Sequence, residues 1–234
     1  MNSSKLIKYS SNVGKKFNID GSAKKFPGNT VICHIPPDCE TFQFLLSFRK
    51  ILEQQPWIRN FTLLPPSSYH TTIFEGVCDQ VRKPSQWSSK MPLDAPLEDV
   101  DNLLIQEWKK LTKPKGIIMQ MNFHFVMGTI GIRLKPISSD MEQKIREFRD
   151  ILSKSFGIRT IGHEYYKFHI SFAYQIIKLS LLERFQSFVF MKKNLKAYQK
   201  QFGTLILNEP ELTFFVDMTD FAPDRDAAKE NRQT

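Results

Sequence analysis

The sequence predicts an α+β fold built as two similar halves, and three observations carry the prediction. Runs rich in β-branched and aromatic residues alternate with segments of helical period along the chain. A strand, helix and strand unit occurs twice. The 234 residues, 41% hydrophobic and 12% aromatic, are enough to bury a sizeable core, which excludes wholesale disorder and fibrous low-complexity structure. This length fits one bilobed domain over 1–234 as well as two small domains.

The first 28 residues carry Gly14, Gly21, Pro27 and Gly28 among Lys and Ser and read as turns. Thr30 to Ile35 is a β-branched run closed by Pro36-Pro37, and Asp38 offers a helix N-cap before the periodic Phe42, Leu45, Leu46, Phe48, Ile51 and Leu52. Past Pro65-Pro66, the segment ending His70-Thr71-Thr72-Ile73-Phe74 favours a strand. Residues 76–98, with three prolines and Trp87, read as a long connection before a helix from Leu97 to Leu111. Met119, Met121, Phe123 and Phe125 alternate with polar residues as a half-buried strand does. Thr129 to Leu134 is the next strand, 138–156 an amphipathic helix, and Tyr165 to Tyr174 a further strand. A helix from Leu179 to Gln201 precedes Leu205-Ile206-Leu207 and Leu212 to Val216, which the turn signal at Asn208-Glu209-Pro210 joins as a hairpin. Residues 222–234 read as a polar helical or frayed tail.

The 33 Lys and Arg against 24 Asp and Glu give a net charge of +9, which suits a phosphate-bearing partner as well as a plain basic surface. Cys33, Cys39 and Cys78 form neither a disulfide framework nor a zinc spacing, so a reducing compartment is expected. The N-terminal residues lack the apolar stretch of a signal peptide, and no window approaches a membrane span. A cytoplasmic protein without membrane contact, monomeric, is the expectation.

The repeat locates the chemistry. Val31 to Pro36 leads through a helix to His70-Thr71-Thr72, and Ile130 to Pro136 leads through a helix to His169-Ile170-Ser171. From Pro36 to His70 is 34 positions, and from Pro136 to His169 is 33. Each copy delivers a histidine and, two places on, a hydroxyl, so strand alternation puts both on one face. His169 and Ser171 face away from Phe168, Ile170, Phe172 and Tyr174, while His70, Thr72 and Phe74 lie together. Two such units facing each other enclose a groove. Imidazole can take or give a proton and hydroxyls can donate to non-bridging phosphate oxygens, so the pair suits phosphate chemistry and requires no metal.

These tripeptides resemble the two H-x-[ST] signatures of the 2H phosphoesterase superfamily, the LigT-like proteins. Further tracts, Phe26 to Val31, Pro65 to His70 and Phe214 to Phe221, with Arg82 and Trp87, look like those of a less characterised LigT-like subfamily. The resemblance implies a bilobed α+β fold, with an antiparallel-dominated sheet in each lobe around the 29–75 and 117–175 repeats and outer helices around a central groove. It also implies a metal-independent, cofactor-free phosphodiesterase acting on a cyclic phosphodiester, such as the 2′,3′-cyclic phosphate of a nucleotide or RNA end. His70 and His169 would be general acid and base, in either assignment, and Thr72 and Ser171 would hold the phosphate oxygens. Rival readings are a hydrolase of a 2′-5′ oligoadenylate or cyclic dinucleotide and a non-catalytic module binding RNA or a nucleotide.

Weaker candidates complete the set. Tyr166 and Phe74 are placed to stack a base or else to pack in the core. Arg82, Lys167 and Arg133 are candidate phosphate clamps or ordinary surface charges. His34, His124 and His163 lack a hydroxyl two places on and read as structural.

Overall fold

The computed structural model describes residues 7–122, 128–201 and 204–230. Among these, the strands are β1 (Gly28–His34), β2 (Phe61–Leu63), β3 (His70–Cys78), β4 (Ile118–Asn122), β5 (Thr129–Pro136), β6 (His169–Gln175), β7 (Thr204–Ile206) and β8 (Glu211–Phe215). The helices are α1 (Glu40–Glu53), α2 (Leu97–Lys109), α3 (Ser139–Phe156), α4 (Leu181–Gln201) and α5 (Arg225–Glu230). The class is α+β, and the repeated unit is present as β1-α1-β3 and β5-α3-β6. No helix among the described residues is long and apolar enough to cross a membrane.

The strands run in the order β7-β4-β5-β6-β3-β1-β8, with every neighbouring pair antiparallel and β2 also paired to β6. Outward from the centre the order is β3-β1-β8 on one side and β6-β5-β4-β7 on the other, so each half keeps its own strands. The halves join through one pairing of β3 with β6, Thr71 opposite Ile170. Both residues are fully buried.

β7 and β8 do not form the hairpin expected from the sequence. β7 pairs with β4 and β8 with β1, at opposite ends of the strand order. A turn signal around Pro210 is compatible with any change of direction, and which strand each run joins is decided by tertiary packing. The connection from Ile206 to Glu211 spans at most about 17 Å of extended chain, whereas six strand spacings in a flat sheet are about 29 Å. The sheet is therefore strongly curled, and its concave side forms the central groove.

Two β-bulges re-aim the central strands. On β3, Thr72 pairs with Ile32 and Phe74 with Val31, leaving Ile73 as the extra residue. On β6, Ser171 pairs with Gly131 and Ala173 with Ile130, leaving Phe172 as the extra residue. Each bulge lies one residue past the hydroxyl of the tripeptide. Strand alternation is broken there, so the third residue beyond the hydroxyl, Glu75 or Tyr174, turns to the groove.

Several boundaries shift from the sequence reading. The α1 cap is Cys39, whose sulfur accepts from the Phe42 N–H, because the turn after Pro36-Pro37 takes in Asp38. β6 begins at His169 because a 3-10 turn takes His163–Tyr165. Part of the expected 119–125 strand, Phe123 and Phe125 included, lies outside the described residues. On α3, capped by Ser138 and ended by Gly157 at φ 68°, the inward face holds Ile145, Phe148, Leu152 and Phe156, but also Arg149. That buried guanidinium donates to the carbonyl of Ile73, the bulged residue, and to the His163 carbonyl at 3.1 Å.

At Gly131 on β5 an added Cβ would sit 2.7 Å from the Ile170 carbonyl oxygen of β6. Gly131→Ala is expected to cost about 1–3 kcal/mol by overpacking, measured as a lower urea midpoint.

Candidate active site

β3 and β6 present the two tripeptides side by side at the centre of the groove. One step either side of the Thr71 and Ile170 pair, the antiparallel register sets His70 against Ser171 and Thr72 against His169. Each histidine thus faces the hydroxyl of the other half. All four line one cleft of about 400 Å³, within the size range of small-molecule sites.

The imidazoles are fixed in mirrored ways. His70 Nδ1 lies 2.7 Å from the Ser68 carbonyl and His169 Nδ1 lies 2.9 Å from the Lys167 carbonyl, in each case the residue two places earlier. A carbonyl only accepts, so Nδ1 carries the hydrogen on both rings and Nε2 is left with its lone pair. The Thr72 side chain hydrogen-bonds the Tyr166 hydroxyl. The Ser171 hydroxyl has no protein hydrogen-bond partner among the described residues.

Tyr166 lines the cleft as one of its two sequence readings proposed, with the Arg149 guanidinium 4.5 Å from its ring centroid. Phe74 does not join it. The Ile73 bulge turns Phe74 into the core, edge-on to Phe156 and His163. Arg82 is also taken up structurally: it ion-pairs with Asp79, donates to the Leu93 and Ala95 carbonyls at 2.7 Å each, and stacks 4.5 Å from Trp87. It therefore pins the 76–98 connection. Arg133 lies across from His169 on β5 and donates to the Lys167 carbonyl at 3.4 Å, while Lys167 contributes that carbonyl rather than its ammonium. Neither side chain lines the cleft.

His163 is buried and bonds Asp150 at 3.0 Å, and His34 sits across from His70 on β1; His124 lies outside the described residues. Asp150, His163 and Glu164 come within reach of one another. Arg159 already pairs with both of those carboxylates.

Lining groups that the sequence reading missed are Lys16, Glu75, Tyr174, Met218, Phe26, Phe215 and Phe221. Phe221 packs on the His70 ring at 4.3 Å between centroids. It had a signal, since it ends the Phe214 to Phe221 tract. Glu75 and Tyr174 had none, because the bulges that aim them leave no mark on residue alternation.

With this geometry, residues 16–129 match the family model described as a 2H-phosphodiesterase domain of unknown function, DUF1868. That stretch, just under half of the chain, is similar to 2H-phosphodiesterase domains and holds the first of the two tripeptides. The crystal structure of the conserved protein of unknown function ATU0111 from Agrobacterium tumefaciens str. C58 is similar with a TM-score of 0.83 at 24% identity, over 92% of this chain and 91% of that one. Escherichia coli LigT in its apo form is similar with a TM-score of 0.46 at 10% identity, over 86% and 96% of the two chains. No curated protein matches the chain. A phosphodiesterase-type activity is what this match suggests.

In this cleft both histidines resist protonation. Burial pushes His70 down to about 4; its carbonyl bond opposes the shift, and the nearby His34 and His169 reinforce it. His169 is also lowered, first by burial and then by Arg133 and Lys16, while its carbonyl bond and the Glu75 charge act upward. Burial likewise raises the Tyr166 phenol above its ordinary range.

Between pH 6.5 and about 4 the unfolded chain holds a proton on residue 70 that the folded chain refuses. Stability is therefore lost as pH falls through that window. The urea midpoint of the wild type is expected to drop between pH 7 and 5, with a shallower slope in His70→Asn.

Proposed function

We propose that the cleft opens a cyclic phosphodiester, the 2′,3′-cyclic phosphate of a nucleotide or RNA end, by in-line attack of water without a metal or organic cofactor. What supports this reading above all is the mirrored anchoring of two imidazoles by their Nδ1 hydrogens, which leaves two Nε2 atoms for one cleft. A general base and a general acid on opposite sides of phosphorus are what such a displacement needs.

His70 is the base. Kept neutral by burial and by Phe221, it accepts the proton of the attacking water through Nε2. His169 is the acid. The Glu75 charge acts in favour of its protonated form, and a bound phosphodiester anion adds to that effect. As the new P–O bond forms and the ribose P–O bond breaks, His169 gives its proton to the departing ribose oxygen. The product is a phosphomonoester, with the two histidines left in exchanged protonation states. The Ser171 and Thr72 hydroxyls hold the non-bridging oxygens as charge builds on them. A cleft of about 400 Å³ suits one nucleotide unit better than a 2′-5′ oligoadenylate or a cyclic dinucleotide.

In EDTA, 2′,3′-cyclic nucleotides or cyclic-phosphate-ended RNA are expected to turn over, and His70→Ala and His169→Ala each to lower kcat/KM by about 10²–10⁴. Undiminished binding in both variants with no turnover of any substrate by the wild type would instead establish a binding module. The free-enzyme profile of kcat/KM should be a bell lying on the acid side of pH 6.5. Its rising limb belongs to His70 near about 4 and its falling limb to His169, below its ordinary value. A profile flat through this range would remove the acid-base pair.

A further inference from the structure

Among the described residues, Lys16 is the one Lys or Arg side chain lining the cleft, and it has no carboxylate partner there. Its ammonium is held 5.1 Å from the Tyr174 ring centroid and 5.4 Å from that of Phe26. Tyr174 lies three residues past Ser171 on β6, and with the bulge at Phe172 between them they span two steps of β5, Gly131 to Thr129, about 7 Å along the strand. The ammonium is therefore placed beyond the groups that would hold the reacting phosphorus, on the Tyr174 side of the cleft. That offset is comparable to the span of a ribose bearing a phosphate at each end. At the equivalent position on β3 stands Glu75, which repels an anion, so the cleft distinguishes its two ends by charge.

We infer that Lys16 forms a second phosphate subsite and that the preferred substrate is a 2′,3′-cyclic nucleotide that also carries a 5′-phosphate. This rests on the reading of the cleft as a cyclic phosphodiesterase site. The half-buried ammonium, with apolar rings behind it, meets an anion with less competition from water than a surface lysine would. Tyr174, half-buried and lining the cleft, is the ring beside it that a nucleoside between the two phosphates would meet.

The test separates the subsite from the chemistry. His169→Ala protein is titrated calorimetrically with 2′,3′-cyclic AMP, with the same nucleotide bearing a 5′-phosphate, and with a dinucleotide whose 5′ phosphate is a diester. The 5′-phosphorylated ligand is expected to bind about 10–100-fold tighter than the 5′-hydroxyl form, as one charge-assisted contact provides. Adding Lys16→Gln should bring that ratio to about one, and Lys16→Arg should retain it. A dinucleotide equal to the 5′-monophosphate would assign the subsite to an RNA chain, and a weaker one to a terminal phosphate. Equal affinity for the 5′-hydroxyl and 5′-phosphorylated ligands, or a ratio untouched by Lys16→Gln, overturns the inference. Neither result depends on turnover: failure of the wild type to cleave any of the three would strike the proposed chemistry alone.

Discussion

One backbone pairing, Thr71 with Ile170, determines where every reactive group stands. Both residues are the middle members of their tripeptides, and their burial on the core side forces the flanking histidines and hydroxyls to the other. Strand periodicity makes this all or nothing: a slip of one residue would send all four to the core and bring Thr71 and Ile170 out. The register has support on both sides, since β1 pairs with β3 through Cys33 and Thr71, and β5 pairs with β6 through Ile132 and Ile170. Site geometry is thus enforced by the same hydrogen bonds that hold the sheet together.

Symmetry of backbone does not extend to the side chains around it. Equivalent bulges at Ile73 and Phe172 deliver a carboxylate on one strand and a phenol on the other. His70 is covered by an aromatic ring from the C-terminal segment, whereas His169 has Arg133 across from it and the fields of Glu75 and Lys16 acting on it. Two halves of similar plan can therefore hold two imidazoles in different states. Arg149 links this asymmetry to the core, since it satisfies the carbonyl of the bulged Ile73 and lies against the ring of Tyr166.

Much of this was legible in the residue string. The helices and most strands follow from period and punctuation, and the two tripeptides stand out because they recur at matching points of a repeat. What escaped was set by contacts distant in sequence. The partners of β7 and β8 depend on which sheet edge each run completes, and nothing within Leu205 to Val216 encodes that. Phe74 looked like a neighbour of His70 because alternation was counted straight through Ile73; the bulge there is stabilised by Arg149, 76 residues away. Lys16 sits in a Gly-rich opening segment with no periodic pattern to read, and only the closure of that segment over β6 brings it into the cleft.

The depressed proton affinity of both histidines has a thermodynamic consequence for ligand binding. An anion placed between two such imidazoles raises their affinity for protons, so occupancy of the cleft and proton uptake are linked. A phosphate ester entering at neutral pH draws a proton from solvent into the site, and its apparent affinity strengthens as the medium becomes more acidic. In the proposed reaction the acid is thus assembled by the arrival of the substrate rather than kept charged in an empty cleft.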